Sequence, residues 1–281
     1  MKLKEKLLLA LLRTKFKILT LVSKRKAAQD AFRLFCTPLT PPSKRMPTIF
    51  TWAETIQFKM GNYVLRGYRW NHKREHKVLI LHGFSSQAYK FKHYVEPLLE
   101  KGYEVIAFDA PAHGRSTGKT VNALEYSDMI VQIMRRYGPV NGYIAHSFGG
   151  LALALALEKT KHDAATKVVF IAPATETTTA IDTAFGMIGL KNKMVRKEFD
   201  NIIIEKSGQH PQWFSIKRAM KNISASVLWL HDEDDHTTPL SDVLPLKEKN
   251  YPNIEFEITS GLGHRRIYKD ETTRKRVINF L

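Results

Sequence analysis

Six short apolar runs, Val78–Leu81, Val105–Phe108, Tyr143–Ala145, Val168–Ile171, Val227–Leu230 and Ile254–Ile258, most constrain what this chain can fold into. Each is too short for a core helix, and all but the alternating Ile254–Ile258 lack the polar alternation of a strand with one wet face, so the first five read as strands covered on both sides. The stretches between them are long enough for helices. Strands alternating with helices predict a largely parallel sheet sandwiched between helical layers, an α/β fold. Ahead of them, "IQFKMGNYVLRGYRW" from Ile56 alternates about a Met-Gly-Asn turn and predicts a β-hairpin.

One interval is too long for a simple crossover. Between Ile171 and Val227 the chain carries "FGMIGL", "MVRKEF" and "WFSIKRAM", which predict a small helical cap inserted at about residues 175–222. The main domain is expected from residue 50 to 281. Residues 1–49 form a separate extension that ends in the Pro-rich "PLTPPSKRMP", which reads as a linker.

That extension holds most of the net charge of +17: residues 1–45 contain twelve Lys/Arg against Glu5 and Asp30. Its leucine-rich uncharged stretch, Leu7 to Leu12, falls far short of the roughly 20 residues that span a bilayer, and no small-residue cleavage site follows it before Arg13, Lys15 and Lys17. Wound at about 100° per residue, Lys2, Lys6, Arg13, Lys17 and Lys24 make one basic stripe, with leucines, Phe16, Ile18 and Val22 over most of the rest. Two expectations follow for residues 1–26: peripheral contact with an anionic membrane, or docking of the apolar face on protein. Charge without a recognised binding motif does not point to nucleic acid. The lone Cys36 excludes a disulfide framework and any CxxC motif, so a reducing, cytoplasmic location is expected.

In an open parallel sheet, ligands bind beyond the carboxyl ends of the strands. There the chain places His82-Gly83-Phe84, "DAPAHGRS" (109–116), His146-Ser147-Phe148-Gly149-Gly150, "HDEDDHTTP" (231–239) and "GLGH" ending at His264. A hydroxyl becomes a nucleophile only when a base takes its proton and the backbone projects it toward the substrate. A tight strand-to-helix turn projects Ser147 but crowds the positions two before and two after, where the chain has Ala145 and Gly149. His264 is the candidate base, and an aspartate of the 232–235 loop would fix its tautomer. The Phe148 amide at the helix start and the Phe84 amide in the His-Gly turn are the candidate oxyanion donors. No metal-ligand spacing occurs, and neither metal nor cofactor is expected.

These motifs resemble those of the α/β-hydrolases. "AHSFG" is similar to the family's G-x-S-x-G elbow, "HGF" to its oxyanion turn, "DAPAHGRS" to its D-x-P-G-H-G-x-S loop and "GLGH" to its G-x-G-H, with Ala145 and Ala112 standing for glycines. The resemblance spans residues 82–264. It implies a sheet of about eight strands flanked by helices, with the cap inserted after the strand at 168–171. It favours Asp235, four residues before Pro239, as the acid, with Asp234, Asp232 and Glu176 as rivals. The implied activity is a serine carboxylesterase or lipase-like hydrolase acting on a small acyl ester through an acyl-enzyme. Thioesterase, amidase or peptidase, C–C hydrolase and cofactor-free haloperoxidase chemistry on the same residues are alternatives, as is a noncatalytic membrane-associated binding protein. Phe185, Met187, Ile188, Leu190, Trp213, Phe214 and Met220 of the cap are expected either to line an acyl pocket or to form the cap's own core.

Overall fold

The apolar runs become strands, and the longer intervals become helices. The computed structural model describes residues 3–43 and 45–281, with side chains on the first helix from Leu7 onward. Lys2 of the expected basic stripe, the side chains of Lys4 and Lys6, and Lys44 of the Pro-rich segment lie outside the described residues. In chain order the elements are α1 (Leu3–Val22), α2 (Lys24–Phe35), α3 (Thr48–Thr51), β1 (Glu54–Met60), β2 (Tyr63–Trp70), β3 (Lys77–Leu81), α4 (Lys92–Glu100), β4 (Glu104–Phe108), α5 (Ala123–Tyr137) and β5 (Gly142–His146). There follow α6 (Phe148–Leu157), β6 (Lys167–Ile171), α7 (Thr177–Met187), α8 (Lys193–Ser207), α9 (Ile216–Ala219), β7 (Ser226–Asp232), α10 (Leu244–Lys247), β8 (Ile254–Thr259), α11 (Gly263–Arg266) and α12 (Glu271–Phe280).

The chain divides into two compact units, one of Pro38–Thr175 with Ser215–Leu281, the other of Met1–Thr37 with Glu176–Phe214. The first holds an eight-stranded sheet in the order β1-β2-β4-β3-β5-β6-β7-β8. β1 and β2 form the expected antiparallel hairpin, β2 runs antiparallel to β4, and the remaining pairs are parallel. Every residue of β4 and β5 is buried, which is why those runs carry no polar alternation. α6, apolar on all sides, is buried from Gly149 to Leu157, as a helix without a polar face must be.

Topology fixes where the loops emerge. From β3 the chain moves outward to β4, then returns to β5 on β3's other side, which opens a crevice at the strands' carboxyl ends. Register aligns those ends: Leu81 pairs with Ala145, His146 with Ile171, and Asp232 with Thr259. The Pro-rich segment runs without regular structure but is fastened down. Leu39 N–H donates to Ser85 Oγ (3.1 Å), and Gln87 ties Pro41 and Ser43 through its side-chain amide (2.8 and 3.2 Å).

The second unit gathers the extension and the cap helices. Its centre is Phe199 of α8, met by the rings of Phe32 and Phe35 from α2 and Phe185 from α7 at centroid distances of 5.6, 5.8 and 5.1 Å. Arg25 of α2 pairs with Glu198 (3.2 Å) and Glu205 of α8, and Lys15 of α1 pairs with Asp30 of α2 (2.7 Å). The single amphipathic helix expected over the extension is two helices. Ser23 takes extended dihedrals and its hydroxyl accepts the Lys26 N–H (3.2 Å), a serine cap that starts α2 afresh, so Lys24 leaves the stripe of α1. Ala27, Ala28 and Ala31 then give α2 a small buried face. Residues 215–222, expected within the cap, fall with the sheet unit.

Candidate active site

Ser147 sits between β5 and α6 with φ 55° and ψ −123°, a conformation that costs a non-glycine residue on the order of 1–3 kcal/mol and aims its side chain off the sheet edge. Tight packing holds the turn in place. A Cβ added to Gly149 would lie 2.7 Å from the His82 carbonyl oxygen and 2.9 Å from that of Leu81, both backbone atoms. A Cβ on Gly83 would lie 2.9 Å from Ser147 Cβ, so the His82-Gly83-Phe84 turn passes directly beside the serine. Ala145 tolerates its methyl because it is an interior β5 residue, fully buried in the sheet.

His264, on α11 just beyond β8, brings Nε2 to 3.0 Å from Ser147 Oγ and Nδ1 to 2.7 Å from Asp235 Oδ2. The carboxylate needs its proton partner on Nδ1, which leaves Nε2 to accept from the serine hydroxyl. Asp235 is buried, and burial alone would favour its neutral form. His264, together with donors from Thr238, outweighs that cost and brings it down to about 2. Thr237 and Thr238 amides donate to Oδ1 (2.8 and 2.9 Å), and Thr238 Oγ1 donates to Oδ2 (2.8 Å). With its single proton spent there, the same hydroxyl stands 3.2 Å from His264 Nδ1 as an acceptor.

The rival acids are occupied elsewhere. Asp232 accepts the amides of Gly263 (2.8 Å), Leu262 (3.0 Å) and Asp234 (3.1 Å) and the Thr259 hydroxyl (2.7 Å). Asp234 accepts the Gly261 amide (2.9 Å). Both carboxylates therefore hold the loop that carries His264. Glu176 stands at the N-terminal boundary of α7, in the other unit.

Phe148 is the first residue of α6, so its amide has no intrahelical acceptor. The Phe84 and Phe148 rings meet edge-on at 5.6 Å, which sets the two backbone segments side by side. Two histidines brace this turn. His82 Nδ1 donates to the Gly83 carbonyl (2.8 Å) and its Nε2 accepts the Ala110 amide (3.0 Å). His113 Nδ1 donates to the Pro111 carbonyl (2.9 Å) while its Nε2 accepts the Ser85 amide (2.9 Å). Each needs one acceptor nitrogen, so both must be neutral, and burial does push them down, to about 4 and about 3. His146 donates from Nε2 to the His264 carbonyl (3.0 Å) and is likewise lowered by burial to about 3.

Thr238, His231 and the bracing histidines were not singled out from sequence. His231 Nε2 donates to the Thr238 carbonyl at 2.7 Å and so fixes the residue that grips Asp235. His82 and His113 lie inside motifs that resemble the family's, but their bracing roles, like those of Thr238 and His231, are contacts across loops that no spacing rule encodes. Of the cap residues, Phe185 packs on Phe199 inside the smaller unit, whereas Met187 is exposed.

The α/β-hydrolase fold profile matches residues 77–206. Over 87% of this chain and 98% of the other, the backbone superposes on an esterase of Pyrococcus furiosus with a TM-score of 0.65 at 23% identity. This is an α/β-hydrolase fold. In sequence the chain is similar to a Mycoplasma pneumoniae protein described as an esterase or lipase, at 29% identity over 38% of this chain and 41% of that one. It is also similar to methylesterase 2 of Arabidopsis thaliana, at 34% identity over 31% and 35% of the two chains. The chain thus matches about two fifths or less of these relatives' lengths. Among the described residues no group of side chains could hold a metal ion, and no helix is long and apolar enough to cross a membrane.

Proposed function

We propose that this protein is a serine hydrolase that cleaves a small carboxylic ester through an acyl-enzyme. The observation that carries the reading is the unbroken relay from Ser147 Oγ to His264 Nε2 (3.0 Å) and from His264 Nδ1 to Asp235 (2.7 Å). Ser147 Oγ attacks the acyl carbon as its proton passes to Nε2. The oxyanion that forms is received by the Phe84 and Phe148 amides, and the ionised Asp235 stabilises the imidazolium. His264 then returns the proton to the leaving alcohol, and water repeats the sequence to release the acid. The similarity to proteins named esterases supports an ester over other acyl substrates. Cys36, the lone cysteine, supports a cytoplasmic location.

A fluorophosphonate probe tests the reading. Wild type should be labelled and Ser147→Ala should not; a folded wild type that resists labelling, or a labelled Ser147→Ala, would overturn it. Hydrolysis of p-nitrophenyl esters should fall by at least about four orders of magnitude in Ser147→Ala. Esters compared with matched thioesters and anilides of one acyl chain will separate the leaving-group classes. Asp235→Asn should lose most turnover while keeping the fold, and Asp234→Asn should retain most of it.

A further inference from the structure

We infer that the outward face of α1 is a docking surface for an anionic lipid bilayer. The helix is apolar around most of its circumference, but protein covers only part of it. Phe16 is buried to 1% exposure, and Leu9, Leu12 and Leu19 on the same side are half-buried. On the other side Leu7, Leu8, Leu11, Ile18, Leu21 and Val22 stand 56–79% exposed. At about 100° per residue these six fill an arc of about 140°. An exposed strip this rich in leucine, interrupted among the described side chains only by Thr14 and Lys15, marks an interaction surface.

The strip is mounted on a folded unit. Lys15 pairs with Asp30 of α2, Arg25 of α2 pairs with Glu198 and Glu205 of α8, and Arg13 Nε donates to the Met187 carbonyl (3.1 Å). Among the described residues, eight of the eleven exposed large apolar side chains belong to this smaller unit, Met187 and Met194 included. Exposed apolar surface is therefore concentrated where the extension meets the cap.

Charge selects the occupant. Lys17 lies just beyond one edge of the strip and Arg13 further round, both exposed, while Lys15, just inside the other edge, is paired with Asp30. Long basic side chains at such edges lie along the apolar surface and lift their charges to headgroup level, where anionic lipids attract them. Two copies of this face would instead bring like charges together. A helix too charged to cross the bilayer but apolar over one wide arc lies in the interface.

The inference does not depend on the hydrolytic reading, since binding is scored on protein and Ser147→Ala should bind like wild type. The test uses full-length protein floated with phosphatidylcholine vesicles with and without phosphatidylglycerol, at low and high salt. Wild type should bind the anionic vesicles, lose binding in high salt, and bind at least about tenfold more weakly as Leu11→Gln/Ile18→Gln/Leu21→Gln. That variant should keep its circular dichroism spectrum and its hydrolysis of a soluble ester. Failure of wild type to bind anionic vesicles, or equal binding by the variant, overturns the inference. So does a wild-type dimer in light scattering that the same substitutions dissolve, which would assign the face to a second copy.

Discussion

Ser147 and Thr238 show how single residues divide the work at this site. Thr238 donates both its amide and its hydroxyl to Asp235, so Thr238→Val should lower kcat/KM by about tenfold while Thr238→Ser restores most of it, as steady-state kinetics will show. Ser147 is held at φ 55° by its neighbours, and Gly149 is the neighbour with no spare space. Gly149→Ala must displace the carbonyls of Leu81 and His82, which belong to the turn offering the Phe84 amide. It should cost about 1–3 kcal/mol in denaturant unfolding and impair ester turnover beyond what the lost stability explains.

Among the elements, α2 and α8 depend on each other despite lying far apart in sequence. Phe199→Ala removes the ring on which Phe32, Phe35 and Phe185 converge, and should destabilise the smaller unit by about 3 kcal/mol. Hydrogen exchange should then speed up in α2, α7 and α8 together, with little change in the sheet. The same contacts separate what could be read from sequence from what could not. β3 to β7 were legible because a doubly covered strand has to be apolar throughout, whereas β8 is a half-buried edge strand that alternates apolar and acidic residues. Ser147 was legible because its tight turn needs small residues at fixed offsets, whereas Asp235 was legible only through the resemblance to the family's acid loop, which favoured it over Asp234, Asp232 and Glu176. The partnership of α2 with α8 was not, because an apolar helix face does not encode what it packs against, and the Ser23 cap was masked by leucines and lysines continuing on both sides. Thr238 and His231 escaped for a related reason: a threonine in a polar loop and a histidine ending a buried strand look ordinary until β7 and β8 are placed side by side.

Across the whole molecule, the buried histidines set the response to acid. His82, His113 and His146 ionise at about 4, 3 and 3 in the fold against about 6.5 when unfolded. Their folded values are lowered, so as pH falls below about 6.5 the unfolded chain takes up protons that the folded one refuses. Stability is lost in that window, at up to about 1.4 kcal/mol per pH unit for each histidine. Asp235, lowered to about 2, adds its loss only below about pH 4. Thermal unfolding followed from pH 7 to pH 5 should show Tm falling steadily, and His113→Gln should flatten the slope; a Tm indifferent to pH over that range would contradict the assignment of neutral, bracing histidines.

The smaller unit is built from Met1–Thr37 and Glu176–Phe214, and this imposes an order on biosynthesis. About 140 residues separate the two pieces, so at 5–20 residues per second α1 and α2 leave the ribosome on the order of ten seconds before α7 and α8 exist. During that interval α1 and α2 have each other, but Phe32 and Phe35 of α2 lack Phe199 and Arg25 lacks Glu198 and Glu205. Anything that shelters α2 in those seconds, a chaperone or a nearby bilayer, would govern how much of the smaller unit reaches its folded state.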